Sequence, residues 1–169
     1  MKLNVYFLFL ALSLCLSHNL FAGNKFWTGN TNTDWNTANN WNPVGVPTAS
    51  DNVLIRDGTG NPVIATGTTA TVTSILIYQK TLTISSGATL NVRGDGTLYR
   101  YVDLNINSTL INHGTLAMES AGGGPVAGVF GPGDDHSLVE NYGLIRINSS
   151  NNNTAVEMGG VFQELTLLL

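Results

Sequence analysis

The sequence predicts an all-β fold, a right-handed parallel β-helix with an N-terminal tryptophan-rich cap, on three observations. Short apolar runs rich in Thr, Val and Ile recur after residue 23, punctuated by Gly and Asn, and no stretch there carries a helical period. An imperfect repeat follows: STLINHGTLAM at 108–118 aligns without a gap on SLVENYGLIRI at 137–147, with the glycines 29 residues apart. A looser copy, LTISSGATLNV at 82–92, places its Gly87 27 residues before Gly114. Repeats of this length point to stacked units that bury their apolar sides only against one another. Finally, all three tryptophans, Trp27, Trp35 and Trp41, lie together ahead of the repeats.

Residues 1–22 read as a secretory signal. Lys2 supplies the positive start, residues 5–16 form the apolar stretch, and Ala22 is a small residue for cleavage before Gly23. The run is shorter than the roughly 20 residues a membrane span requires, and Ser17-His18-Asn19 end it. Leu20 is bulkier than the cleavage pattern prefers, and Leu14 is too large for a lipid anchor on Cys15. The expected partner of this segment is an export machinery, and the expected location is secreted or outer surface. The mature chain of 169 − 22 = 147 residues then has no cysteine, so pairing and packing must stabilise it.

Residues 23–50 are expected to form the cap. The aromatics are each followed by small polar residues, Gly45–Pro47 makes a turn, and Asp34 and Asn40 fix turns between the tryptophans. Trp27, Trp35 and Trp41 have two readings. They cover the open end of the first coil, or they form a carbohydrate-contacting platform, since aromatic faces lie well against sugar rings.

Residues 51–169 hold the repeats, with strands expected at 53–55, 62–65, 71–78, 81–85, 89–92, 97–102, 104–106, 109–111, 115–118, 138–139 and 144–147. About 27 residues suit a coil of three strands and three turns. Leu110 should lie beside Val139 and Leu116 beside Ile145, with Asn112 and Asn141 at equivalent turns where stacked amides can form a ladder. The alternative fold is a β-sandwich of antiparallel hairpins. The Gly/Pro-rich stretch 121–135 and the run 149–154 read as excursions. The apolar end at 165–169 has no polar cap, as expected for the front part of a longer protein.

Charged residues make up 11% of the chain, and the formal charge is −4. With scattered basic residues, nucleic acid is not an expected partner. Metal and cofactor sites are not expected. The G-x-G-x-D spacing at 131–135 occurs once, without the stacked copies calcium needs. His113 and His136 have no second ligand at zinc spacing. A lyase would have to draw on Arg93, Arg100, Arg146, Asp95 and Asp103. Arg93-Gly94-Asp95 also spells a receptor-recognised tripeptide but reads first as a turn. The N-x-S/T triplets at Asn107, Asn148 and Asn152 read as polar turns.

Trp27-Thr28-Gly29, Asp34-Trp35-Asn36, Asn40-Trp41-Asn42-Pro43, Val46-Pro47-Thr48 and Asp51-Asn52-Val53 resemble the opening of large secreted bacterial surface proteins. Those proteins carry a W-x-G … D-W … N-W … P-x-x-x-D-x-V head followed by parallel β-helix repeats, and many are type IX secretion cargo. The resemblance implies export and a surface or extracellular location, but no activity. The function expected is a non-catalytic, adhesin-like module contacting polysaccharide or a host or matrix surface. The alternative is a polysaccharide-active lyase or glycoside hydrolase.

Overall fold

Hydroxyl and β-branched residues at alternate positions suit a pleated strand with one buried and one wet face, and these stretches become the strands of the computed structural model. The structure describes residues 23–94, 102–119, 128–131, 136–148, 157–158 and 162–163. The expected signal segment, Asp95, Arg100, strand residues 97–101, the run 149–154 and the apolar end 165–169 lie outside them.

The head supplies β1 (Asn24–Trp27) and β2 (Trp41–Asn42). There follow β3 (Asn52–Ile55), β4 (Val63–Ile64), β5 (Thr69–Val72), β6 (Ser74–Tyr78), β7 (Thr81–Ile84) and β8 (Thr89–Val92). The later strands are β9 (Val102–Asn105), β10 (Thr109–Asn112), β11 (Thr115–Glu119) and β12 (Val129–Gly131). The last are β13 (Leu138–Asn141), β14 (Leu144–Asn148), β15 (Glu157–Met158) and β16 (Phe162–Gln163). Helical structure among the described residues is one 3-10 turn, Ala38–Asn40.

From β3 onward each strand pairs with the third strand before or after it, so the chain visits three sheets in rotation. The first sheet runs β15-β12-β9-β6-β3-β1-β2, the second β16-β13-β10-β7-β4 and the third β14-β11-β8-β5. All pairs between these strands are parallel except β1 with β2. The antiparallel hairpins of the sandwich alternative are therefore not what joins these strands.

The expected neighbours are in register: Leu110 pairs with Val139, and Leu116 with Ile145. The earlier copy corrects the single spacing of 27. Leu110 pairs with Leu82, 28 residues back, whereas Leu116 pairs with Leu90, 26 back. The turn at 85–88 has two more residues than the turn at 113–114. A turn absorbs extra residues freely, while the buried face fixes the register of the strands it joins.

Inward columns build the core. Val53, Ile75 and Val102 follow one another in the first sheet, Leu82, Leu110 and Val139 in the second, and Ala70, Leu90, Leu116 and Ile145 in the third. All are buried, and they belong to one cluster. At the end of β10 an inward polar pair replaces the aliphatics: the Asn112 amide Nδ2 donates to Asn141 Oδ1 at 2.6 Å, both buried. The expected amide ladder is present there.

Three further expectations need correction. The break expected at 103, between strands at 97–102 and 104–106, is spanned by β9 (Val102–Asn105). The stretch expected as one strand at 71–78 is two, β5 and β6, bent at Thr73. Thr73 is held at this corner by donating its backbone N–H to Asp51 O (2.9 Å) and its Oγ1 to Ala49 O (3.0 Å). The stretch expected as an excursion at 121–135 contains β12, whose Val129 pairs with Val102 and continues the first sheet.

Candidate functional site

Several residues of the tryptophan head have local structural tasks. Trp41 sits between the other two indoles, edge to face with both: its ring centroid is 5.0 Å from that of Trp27 and 4.7 Å from that of Trp35. This is the favoured geometry for aromatic pairs. Trp41 Nε1 donates to Trp35 O at 2.8 Å, and Trp27 Nε1 to Thr59 O at 3.1 Å. The indole N–H of Trp35 is buried without a hydrogen-bond partner.

Asn40, fully buried, ties the intervening loop together. Its Oδ1 accepts from the backbone N–H of Thr31 (2.9 Å) and Asn32 (3.2 Å). Its Nδ2 donates to Asn32 Oδ1 and Asp34 O, both at 2.8 Å. Asp34 Oδ1 accepts from the N–H of Asn36, and Asp34 itself bridges to Val63. That bridge covers part of the edge strand β4. Asp51 Oδ2 accepts from Thr48 N–H (2.7 Å) and Thr48 Oγ1 (2.8 Å), closing the turn into β3. The turn-forming roles expected of Asp34 and Asn40 are met.

The structure brings Trp27, Trp35 and Trp41 together, but inside, at 2%, 0% and 1% exposure. They join Val53 and Ile55 in the core cluster. Rings so enclosed offer no open face to a sugar. The head's exposed aromatic is Phe26, 36% exposed, because the alternation of β1 that turns Trp27 inward turns its neighbour outward.

Phe26 borders a cleft of about 390 Å³ with Trp27, Thr28, Asn30, Asn42, Asp57, Gly58 and Thr59. Asn42 is the cross-strand partner of Phe26 in β2, and Leu54 is its partner in β3. Such partners have Cβ atoms about 5 Å apart. The opposite wall is the polar turn 56–60, clamped to the head at three points. Thr59 N–H donates to Thr28 O (2.8 Å), Thr59 Oγ1 to Thr28 O and, at 2.7 Å, to Gly29 O, and Trp27 Nε1 to Thr59 O. Only glycine fits at positions 58 and 29. A Cβ on Gly58 would lie 2.5 Å from Trp27 O, and one on Gly29, whose φ is +61°, would lie 1.9 Å from Thr59 O. Lys80 Nζ donates to Gly58 O from outside.

The cleft thus presents one aromatic face, amides, hydroxyls and one carboxylate, Asp57, which is paired with Arg56 at 2.5 Å. Such a set can bind by hydrogen bonds and stacking. It holds no second carboxylate for a general acid and base. Sequence reading missed Phe26, Asn30, Asn42, Asp57 and Thr59. The available signal was the alternation of β1 and the turn signature Asp57-Gly58-Thr59-Gly60.

The other candidates that are described lie on separate sheets and turns, and Asp95 and Arg100 lie outside the described residues. Arg93 makes an exposed ion pair with Glu119 (3.7 Å), Arg146 is exposed on the third sheet, and Asp103 is on the first. His113 stacks on Tyr142, centroids 4.9 Å apart and planes 12° apart, at equivalent turns, while His136 is exposed with φ +55°. Among the described residues no three His, Cys, Asp or Glu side chains form a group able to hold a metal, and no helix is long and apolar enough to cross a membrane. Asn107 occupies an exposed corner with φ +53°. Residues 132–135 of the G-x-G-x-D spacing and Asn152 lie outside the described residues.

No curated protein and no solved structure matches this chain. Residues 26–122, more than half of it, match a family described as a domain of unknown function, DUF8693, and the chain belongs to that family. The match begins at Phe26 and takes in both the tryptophan head and the strands through β11.

Proposed function

We propose that this member of the DUF8693 family is an exported, non-catalytic surface module built as a right-handed parallel β-helix, with the tryptophan head as its cap. The observation that carries the reading is the rotation of the chain through three parallel sheets, in register at every third strand. Parallel strands joined by crossovers are right-handed almost without exception, which supports the hand. A rotation of this kind exposes three long outer faces. Their described residues are mostly Thr, Asn, Ser and aliphatics, with few charges.

Such faces suit contact with an extended neutral partner, a polysaccharide or an extracellular matrix, rather than with nucleic acid. The apolar stretch at 5–16 and Ala22 support export, and the head's likeness to secreted bacterial surface proteins supports surface display. The enzyme alternative is less well supported, because among the described residues the cleft contains Asp57 as its single carboxylate and the other carboxylates are scattered.

The test is to express the full chain with a C-terminal tag in a bacterial host, sequence the N-terminus of the product and treat intact cells with protease. An N-terminus at Gly23 and a product outside the inner membrane are expected. An unprocessed chain retained in the cytoplasm would overturn the export reading.

A further inference from the structure

We infer that the cleft between β1, β2 and the turn at 56–60 is a subsite for a neutral sugar unit of a polysaccharide. This deepens the reading of the chain as a surface module and rests on it for the choice of ligand class. A pyranose presents an apolar C–H face and a rim of hydroxyls that each donate and accept. The cleft has the complement of both. Phe26 offers a half-open aromatic face, and around it stand the amides of Asn30 and Asn42, the Asp57 carboxylate and the Thr28 hydroxyl. A side-chain amide donates and accepts at once, so it can bridge neighbouring hydroxyls of one ring.

Charge argues for a neutral ligand. No Lys or Arg lines the cleft, and Arg56 beside it is engaged by Asp57. An anionic ligand would find a carboxylate and no free cation, while a cationic one would meet a single exposed charge that is already paired. The volume of about 390 Å³ is at the small end of the range for ligand sites. That is room for one or two sugar rings, not for a folded partner.

The walls are set before binding. Four hydrogen bonds clamp the turn to the head, and the close approach of Gly58 and Gly29 leaves it no slack. A ligand therefore orders little chain on entering, which favours affinity from a few contacts. Beyond the cleft the outer face continues in register from Phe26 to Leu54 and Leu76, both half-buried. Adjacent strands are about 4.8 Å apart, so this file extends from the cleft along the direction in which the strands stack. Further units of the same chain have a surface to lie on.

The mature chain is titrated by calorimetry with neutral hexasaccharides of glucose, xylose, mannose and N-acetylglucosamine, with an uncharged unstructured peptide as control. Phe26→Ala, Asn42→Ala and Asp57→Ala are compared with it, and the melting temperature of each is recorded. At least one hexasaccharide is expected to bind and to shift the emission of the parent, because Trp27 lines the cleft. Phe26→Ala should weaken that binding about tenfold, as truncation of an aromatic anchor does. Asn42→Ala, at an exposed rim position, should weaken it severalfold without changing the melting temperature.

No binding of any hexasaccharide by the parent at roughly 10 mM, where even feeble affinity registers, would overturn the inference. So would binding that is undiminished in both Phe26→Ala and Asn42→Ala, or binding of the peptide alone. These results are independent of where the protein is found in the cell, so failure of the sugar site and failure of the export reading are told apart.

Discussion

Asn40 and Trp41 form the joint on which the head turns. Asn40 supplies four side-chain hydrogen bonds inside the loop, and its carbonyl accepts from Thr28 N–H at 2.7 Å. Replacing it by Ala removes four side-chain hydrogen bonds, two of them to the part-buried N–H groups of Thr31 and Asn32, and should cost about 1–3 kcal/mol. Trp41→Ala removes the central ring of a closed cluster and should cost about 3–5 kcal/mol. Both losses are read as lowered denaturant midpoints. An unchanged midpoint in Trp41→Ala, with sugar binding lost, would return the tryptophans to a ligand-contacting role. The burial of these rings was legible in the sequence, because three tryptophans without a disulfide have few other uses. The outward turn of Phe26 was not. The alternation of β1 implies it only once β1 is seen to join the first sheet beside β3 with Trp27 turned inward.

At the scale of elements, the turns between the second and third sheets are the least forgiving part of the repeat. Gly114 and Gly143 occupy equivalent turns, and a Cβ on Gly143 would sit 2.2 Å from Gly114 O. Gly143→Ala should therefore push the β13–β14 turn off its neighbour and cost about 1–3 kcal/mol, as overpacking does. Its effect should be visible by lost amide protection in β11 and β14. Asn112→Ala is a second test of the same corner. It leaves Asn141 Oδ1 and the Gly114 N–H without a partner and should lower the denaturant midpoint, whereas Thr109→Ala on the outer face should not. The repeat that contains these turns was readable because both copies have two-residue turns. The earlier copy, with its longer turn at 85–88, misled a gap-free alignment. The strand β12 was hidden for a related reason: Gly and Pro around it announce a loop, and only the pairing of Val129 with Val102 makes a strand of it.

For the molecule as a whole, cohesion comes from stacking, not from charge. Between described residues there are two ion pairs, Arg56–Asp57 and Arg93–Glu119, and all four side chains are at least half exposed. Exposed pairs contribute about 0–1 kcal/mol and are screened by salt. Raising NaCl from about 0.05 to about 0.5 M should consequently leave the melting temperature nearly unchanged. A large drop would show that electrostatics hold the stack. The class of the fold and the rhythm of its strands were legible, since alternation and repeat length are properties of the buried face. The cleft beside Phe26 was not, because its walls come from segments brought together by the stacking itself.

Parallel stacking at every third strand is what holds this fold together. Interstrand NOEs in an isotope-labelled sample measure it directly. Contacts between backbone protons of Leu110 and Val139, and of Leu116 and Ile145, are expected, together with parallel partners at Leu82 and Leu90. Strong Hα–Hα contacts between residues 109–112 and 115–119, the mark of an antiparallel hairpin across Gly114, would contradict it.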